Sequence, residues 1–138
     1  MNADTRPQVI LELEEQLQSQ RWRHVSHLHD KRTFGNSQDI FVRSGVALQI
    51  VRDRSQWFFD VGRHPFWFRL VSRKVEYFDL DLFIGLLEPD TELDVDDLDR
   101  RVSFIVERLN EICGAVKSKQ GIQRLRAIRA KRNIPKRD

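Results

Sequence analysis

Three histidines and an aspartate fall within one short string, HVSHLHD, as His24, His27, His29 and Asp30. Imidazole nitrogens beside a carboxylate are a common donor set for first-row metals, and an HxHxD pattern is shared superficially with two-metal hydrolases. Those centres draw further ligands from glycine-bounded loops, and here only His64 remains. The reading is therefore no metal site, with these histidines on a solvent-facing surface. Asp79 and Asp81, and Asp53 and Asp60 around a hairpin, could run acid–base chemistry only if a pocket drove their pKa values apart. Nothing in the sequence builds that pocket, and Asp79 better suits the cap of a following helix. Cys113 has no base indicated nearby, and Gly-rich phosphate loops, GxSxG and HExxH are all absent. No catalytic residue and no cofactor is expected.

The densest charge lies between Glu88 and Asp99, which holds seven acids and no base. Asp90, Glu92 and Asp94 alternate like the start of a calcium loop, but Val95 stands where such a loop needs glycine. Two readings stay open: a solvated acidic loop that also caps a helix, or an acidic patch for a basic partner such as a nuclease surface. The opposite charge gathers at the end. Lys117–Asp138 carries nine Lys/Arg and one acid, while the rest of the chain holds 15 basic and 20 acidic residues. The overall +3 is thus a basic tail on a mildly acidic body. That tail could meet phosphates through Arg124, Arg126, Arg129, Lys131, Arg132, Lys136 and Arg137, or fold back onto the acidic body. It has no interleaved aromatics for base stacking.

The elements that must position these residues read as α+β. Pro7 opens a helix with Val9, Ile10, Leu13 and Leu17 on its buried stripe, ending near Gln20. Trp22–Leu28 fits helix or strand equally. Phe34–Ser37 is a turn, Asp39–Arg43 a short strand closed by Ser44–Gly45. Val46–Val51 and Trp57–Val61, split by Arg52–Ser55, predict a hairpin at about 46–61 with apolar side chains on both faces, so central in its sheet. Phe66–Val71 could add a strand. Phe78, Leu82, Phe83, Leu86 and Leu87 predict a helix before Pro89. Leu98, Val102, Ile105, Leu109, Ile112 and Val116 recur at helical spacing, with Asp94 or Asp96 as cap. Gly121 would break that helix, and Ile122, Leu125 and Ile128 hint at another. The expectation is one domain over 1–138: a small antiparallel sheet around the hairpin, packed against N- and C-terminal helices, with a basic C-terminal tail at about 118–138 whose last residues, KRNIPKRD, fray. With one cysteine, no secretory pattern and no long apolar run, a cytoplasmic protein without membrane contact is expected.

The order of helix, FGNS turn, SGVALQIVRDRSQWFFDVG hairpin, YFDLDLFIGLL helix and long amphipathic helix resembles small bacterial immunity-type proteins of polymorphic and contact-dependent toxin systems. The resemblance covers roughly Phe34–Val116. It is clearest at Val51–Arg54, Gln56–Phe58 and Tyr77–Leu82. It implies a non-catalytic protein that neutralises a cognate toxin domain by direct binding, and it carries no catalytic residue over. The family-like turn favours glycine where this chain has Ser55, so the turn type and strand register stay open. On this reading the partner contacts are Glu88, Asp90, Glu92, Asp94 and Asp96, with Trp57, Phe66 and Trp67 as aromatic anchors or, equally, as core. The alternative is a nucleic-acid-associated or regulatory accessory protein that uses the basic tail.

Overall fold

The computed structural model describes residues 6–30, 36–64 and 75–132. The chain is α+β, with a five-stranded antiparallel sheet in the order β1-β2-β3-β4-β5. Helix α1 (Gln8–Ser19) leads into β1 (Arg23–Asp30), β2 (Asn36–Arg43), β3 (Val46–Asp53), β4 (Gln56–Arg63) and β5 (Tyr77–Asp79). Helices α2 (Leu80–Leu87), α3 (Leu98–Lys117) and α4 (Lys119–Arg132) follow. The hairpin is β3–β4, and β3 is the middle strand; every residue from Val46 to Ile50 is buried, as two covered faces require.

Along each strand, alternate residues face opposite ways. Phe41, Leu48, Ile50, Phe59, Val61 and Phe78 point toward the helices, where Ile10, Leu13 and Leu17 of α1 and Ile105, Leu109 and Ile112 of α3 complete one apolar cluster. The opposite face buries Val42, Ala47 and Tyr77, with polar Gln49 and Asp60 among them. Burial and the nearby Asp60 charge push the Tyr77 phenol up to about 12.

The turns settle what the sequence left open. Arg54 and Ser55 both take left-handed backbone, with φ of 53° and 70°, and Asp53 pairs with Gln56 across them. This is the two-residue hairpin geometry that normally favours glycine, at a cost of about 1–2 kcal/mol for each L-residue. Asn36 offsets it: its side-chain oxygen accepts from the Arg54 N–H at 3.0 Å and its amide reaches Asp53 at 3.3 Å. The register then runs unbroken to Val46 opposite Arg63. Ser44 and Gly45 (φ 49° and 82°) make the same turn before β3. Helix α1 stops at an Arg, not a glycine. Arg21 has φ 68°, its N–H reaches the Gln18 carbonyl, and the Trp22 N–H reaches Leu17, the paired bonds of a Schellman end.

Several expectations need correction. Trp22–Leu28 resolves as strand from Arg23 onward, and β2 starts at Asn36 rather than Asp39. Phe78 belongs to β5, and α2 begins only after Asp79, whose side chain caps it by accepting from the Asp81 N–H at 2.8 Å. The cap of α3 is Asp97, not Asp94 or Asp96; Asp94 instead accepts from the Asp96 N–H in the turn before it. The long helix breaks at Ser118 (φ −96°, ψ 133°), whose hydroxyl then accepts from the Gly121 N–H and starts α4. Gly121 lies inside α4, pressed against the backbone of Ala115. The basic tail expected at about 118–138 is helix through Arg132, with Leu125 fully buried, as Ile122, Leu125 and Ile128 hinted; residues 133–138, where fraying was expected, lie outside the described residues. The Phe34 end of the FGNS turn and the suggested strand at Phe66–Val71 lie outside the described residues.

Candidate functional site

The structure gathers one polar cluster on the helix-facing side of the sheet. Asp39 of β2 is 1% exposed, and its Oδ1 lies 2.8 Å from Nε2 of His24 and 2.6 Å from Nδ1 of His27. An ionised carboxylate only accepts, so each ring turns an N–H toward that one oxygen. The other oxygen takes the Arg6 guanidinium at 2.6 Å, and Arg6 also reaches Glu14 of α1 at 3.2 Å. Arg6 and Arg52 both sit over the Trp57 ring, at 5.7 and 5.9 Å from its centre. Burial works to raise Asp39, but the hydrogen bonds and charges of Arg6 and His27 outweigh it and hold the carboxyl below its ordinary range. For Glu14 burial wins over the pull of Arg6, helped by the Asp39 charge, so it lies above its ordinary value.

Residues three apart on a regular strand face opposite sides of the sheet. His24 and His27 meet the same carboxylate because the β1–β2 register slips between His24 and Ser26, a bulge that throws Val25 out to 42% exposure. His24 lies opposite Phe41 and stacks on it, ring centres 4.7 Å apart. Surface histidines were expected here. Both rings are indeed more than a third exposed, yet they share a buried anion that the sequence did not single out. Asp39, Arg6 and Glu14 were missed, and their separation along the chain left no local signal. His29 and Asp30 lie on β1 opposite Ser37 and Asn36.

The acidic segment forms a second, different surface. Asp90, Glu92, Asp94, Asp96 and Asp99 are exposed, and among the described residues none of them meets a cationic side chain. Glu88 and Asp97 reach Arg108 and Arg100 at 3.5 and 4.0 Å. Arg101, 1% exposed, moors the segment from beneath by donating to the Leu93 carbonyl at 3.0 Å and to Asp81 at 2.9 Å. Beside it runs an open groove of about 640 Å³, lined by Asp81, Ile84, Glu92, Leu93, Asp94 and Arg132 among others.

The basic helix is partly spent on the body. Arg126 and Arg129 both clasp Glu76 at 2.6 Å, which holds that carboxyl down to about 2 against the effect of burial. Arg129 also lies over Phe78, and Arg132 packs on Gly85 while donating to the Asp81 carbonyl at 3.2 Å. Of the tail cations in the described residues, Lys117, Lys119, Arg124 and Lys131 remain exposed without an acidic partner. Lys136 and Arg137 lie outside them.

Of the aromatic contacts expected from sequence, Trp57 is only 7% exposed and belongs to the core and to the Arg6 cluster. Phe66 and Trp67 lie outside the described residues. Cys113 is buried, which pushes its thiol up despite the pull of Arg43 and Lys117, so little thiolate forms at neutral pH. Among the described residues no helix is long and apolar enough to cross a membrane. No family model matches the chain, and no curated protein or solved structure matches it either.

Proposed function

We propose that this chain is a non-catalytic binding protein of immunity type, acting in the cytoplasm, that neutralises a cognate toxin domain through its acidic surface. The observation that carries this reading is the row of exposed carboxylates at Asp90, Glu92, Asp94, Asp96 and Asp99, which meet no cationic side chain among the described residues of a chain whose net charge is +3. Such a surface speeds encounter with a basic partner and repels acidic ones. The segment is held in one shape by Arg101 and by the Asp94 and Asp97 turns, so little order is lost on binding. The groove beside it gives a partner's lysine or arginine a place between Glu92, Asp94 and Asp81. The nucleic-acid reading draws less support, since Arg126, Arg129 and Arg132 already serve the fold.

The test starts at the neighbouring gene: where it encodes a large secreted protein with a variable C-terminal domain, that domain should co-purify with this chain and lose its toxicity in its presence, and a neighbour of another kind would count against the immunity reading. Reversing Asp90, Glu92 and Asp96 to lysine should cut affinity by at least about a hundredfold, at roughly 1 kcal/mol or more for each steering charge. Helical content and thermal midpoint should stay close to wild type. Unchanged binding by that variant would remove the acidic surface from the reading; no binding by wild type would remove the immunity reading itself.

A further inference from the structure

We propose that His24, His27 and Asp39 form a binding site for a first-row divalent transition ion of the zinc class, with Nε2, Nδ1 and a carboxylate oxygen as donors. These ligand atoms all lie within 4.8 Å of one another. The three side chains come from two adjacent strands, and only the bulge at Val25 brings both imidazoles to the same face as Asp39. Two imidazoles and one carboxylate on one side of an ion, with the other side open, is a recognised arrangement for zinc and non-haem iron, and it disfavours magnesium and calcium. Both rings are more than a third exposed, so water can complete the coordination and an ion has a way in.

The parts that orient the ligands are also present. Arg6 holds the second oxygen of Asp39 at 2.6 Å and leaves the first to face the imidazoles. Phe41 stacks on the His24 ring and limits its rotation. Such outer partners fix ligand direction and contribute to affinity. Arg6 brings a positive charge, but it is shared between Asp39 and Glu14. With imidazoles neutral, as metal binding requires, Asp39 and Glu14 together exceed the charge of the Arg6 they share.

The His–Asp contacts of 2.6 and 2.8 Å are shorter than the spacing of ligands around an ion. Tetrahedral bonds of about 2.0–2.2 Å put neighbouring donors about 3.3–3.6 Å apart, so the rings must draw back from Asp39 by about 0.5–1 Å, and the two imidazole nitrogens, within 4.8 Å of each other, must settle at the same spacing. Two half-exposed side chains can make that move by small rotations. The ion then replaces the two N–H donors on the Asp39 oxygen, and each ring carries its remaining proton on its other nitrogen.

The experiment uses the full chain, stripped with a chelator and titrated with Zn²⁺ alone, with Co²⁺ as a coloured substitute. One equivalent of Zn²⁺ should bind and raise the thermal midpoint, Co²⁺ should give a visible d–d band, and Mg²⁺ should do neither. His24→Ala and His27→Ala, both at exposed rings, should each weaken Zn²⁺ binding at least about tenfold and abolish the Co²⁺ band. His64→Ala should leave both unchanged. Asp39→Asn is a poorer probe, because it also disturbs the buried Arg6 pair. Absence of Zn²⁺ binding, wild-type binding by either histidine variant, or an equal response to Mg²⁺ would each overturn the assignment.

Discussion

Glu76 is expected to pin the basic helix α4 to the body, and Glu76→Gln tests it. The carboxylate takes Nη2 of Arg126 and Nη2 of Arg129, both at 2.6 Å, from residues fifty or more positions away. Its pKa falls from an ordinary 4.5 to about 2. At about 1.4 kcal/mol for each pH unit, that gap sets a ceiling near 3 kcal/mol. Glu76 is still 28% exposed and Arg126 56%, so solvent screening brings the expected contribution to about 1–2 kcal/mol, mostly through the more buried Arg129. Because the folded pKa is depressed, this stability is fully present above about 4.5 and is lost as pH falls toward about 2.

The assay is urea unfolding of wild type and Glu76→Gln at a series of pH values. Near pH 7 the variant should be less stable by about 1–2 kcal/mol, and the two curves should converge as pH drops through that window. Taking the difference cancels the titration of the other carboxylates. Peptide-level hydrogen exchange should show faster exchange over Lys119–Arg132 in the variant at neutral pH. A difference that stays constant with pH, or no difference near pH 7, would refute the electrostatic account of how α4 docks.

Arg101→Met removes a buried charge while roughly keeping its volume. Exposed Asp81 can regain water, so global stability should change by less than about 2 kcal/mol, while hydrogen exchange over residues 89–96 rises for want of the Leu93 tether. Gly121→Ala should destabilise by about 1–3 kcal/mol in denaturant unfolding, although alanine is the better helix former by about 1 kcal/mol. A Cβ there would lie 2.1 Å from the Ala115 carbonyl oxygen, which is backbone and has nowhere to go.

What the sequence made legible is what local pattern encodes. The β3–β4 hairpin, the α3 stripe from Leu98 to Val116 and the Asp79 cap all depend on residues within a turn or a strand of each other. The histidine strand did not declare itself, because a bulge breaks the alternation by which strands are recognised and six of its eight residues are polar. Arg101 reads as a surface residue next to Val102, yet it is buried because Asp81 and the Leu93 carbonyl, contributed by other elements, receive it. The Arg6–Asp39 pair spans 33 positions. No window of local composition can show that Asp39 is the one acid of its region to be buried, since burial there is decided by which strand lies beside it.

The allocation of charge is informative in itself. With 24 basic and 21 acidic residues, the chain has cations enough to pair its carboxylates. The buried Asp39 collects Arg6 and two imidazoles, and Glu76 collects two guanidiniums, while Asp90, Glu92, Asp94, Asp96 and Asp99 collect none among the described residues. Between Asp39 and the acidic segment the contrast follows burial, because leaving a desolvated anion unpaired costs far more than leaving an exposed one. Exposed pairs contribute about 0–1 kcal/mol, so folding stability gives little reason either to pair the acidic segment or to concentrate acids there. Helix capping explains Asp97, the α3 dipole explains Asp99, and the turn explains Asp94. Among the described residues Asp90, Glu92 and Asp96 accept no hydrogen bond that would explain them, and their mutual repulsion is a small cost borne by the folded state. A surface whose charge serves no internal contact is the one that a partner would feel first. Its field decays within about 8 Å at physiological salt, so association through it would slow steeply as salt is added, whereas contact through an apolar patch would not.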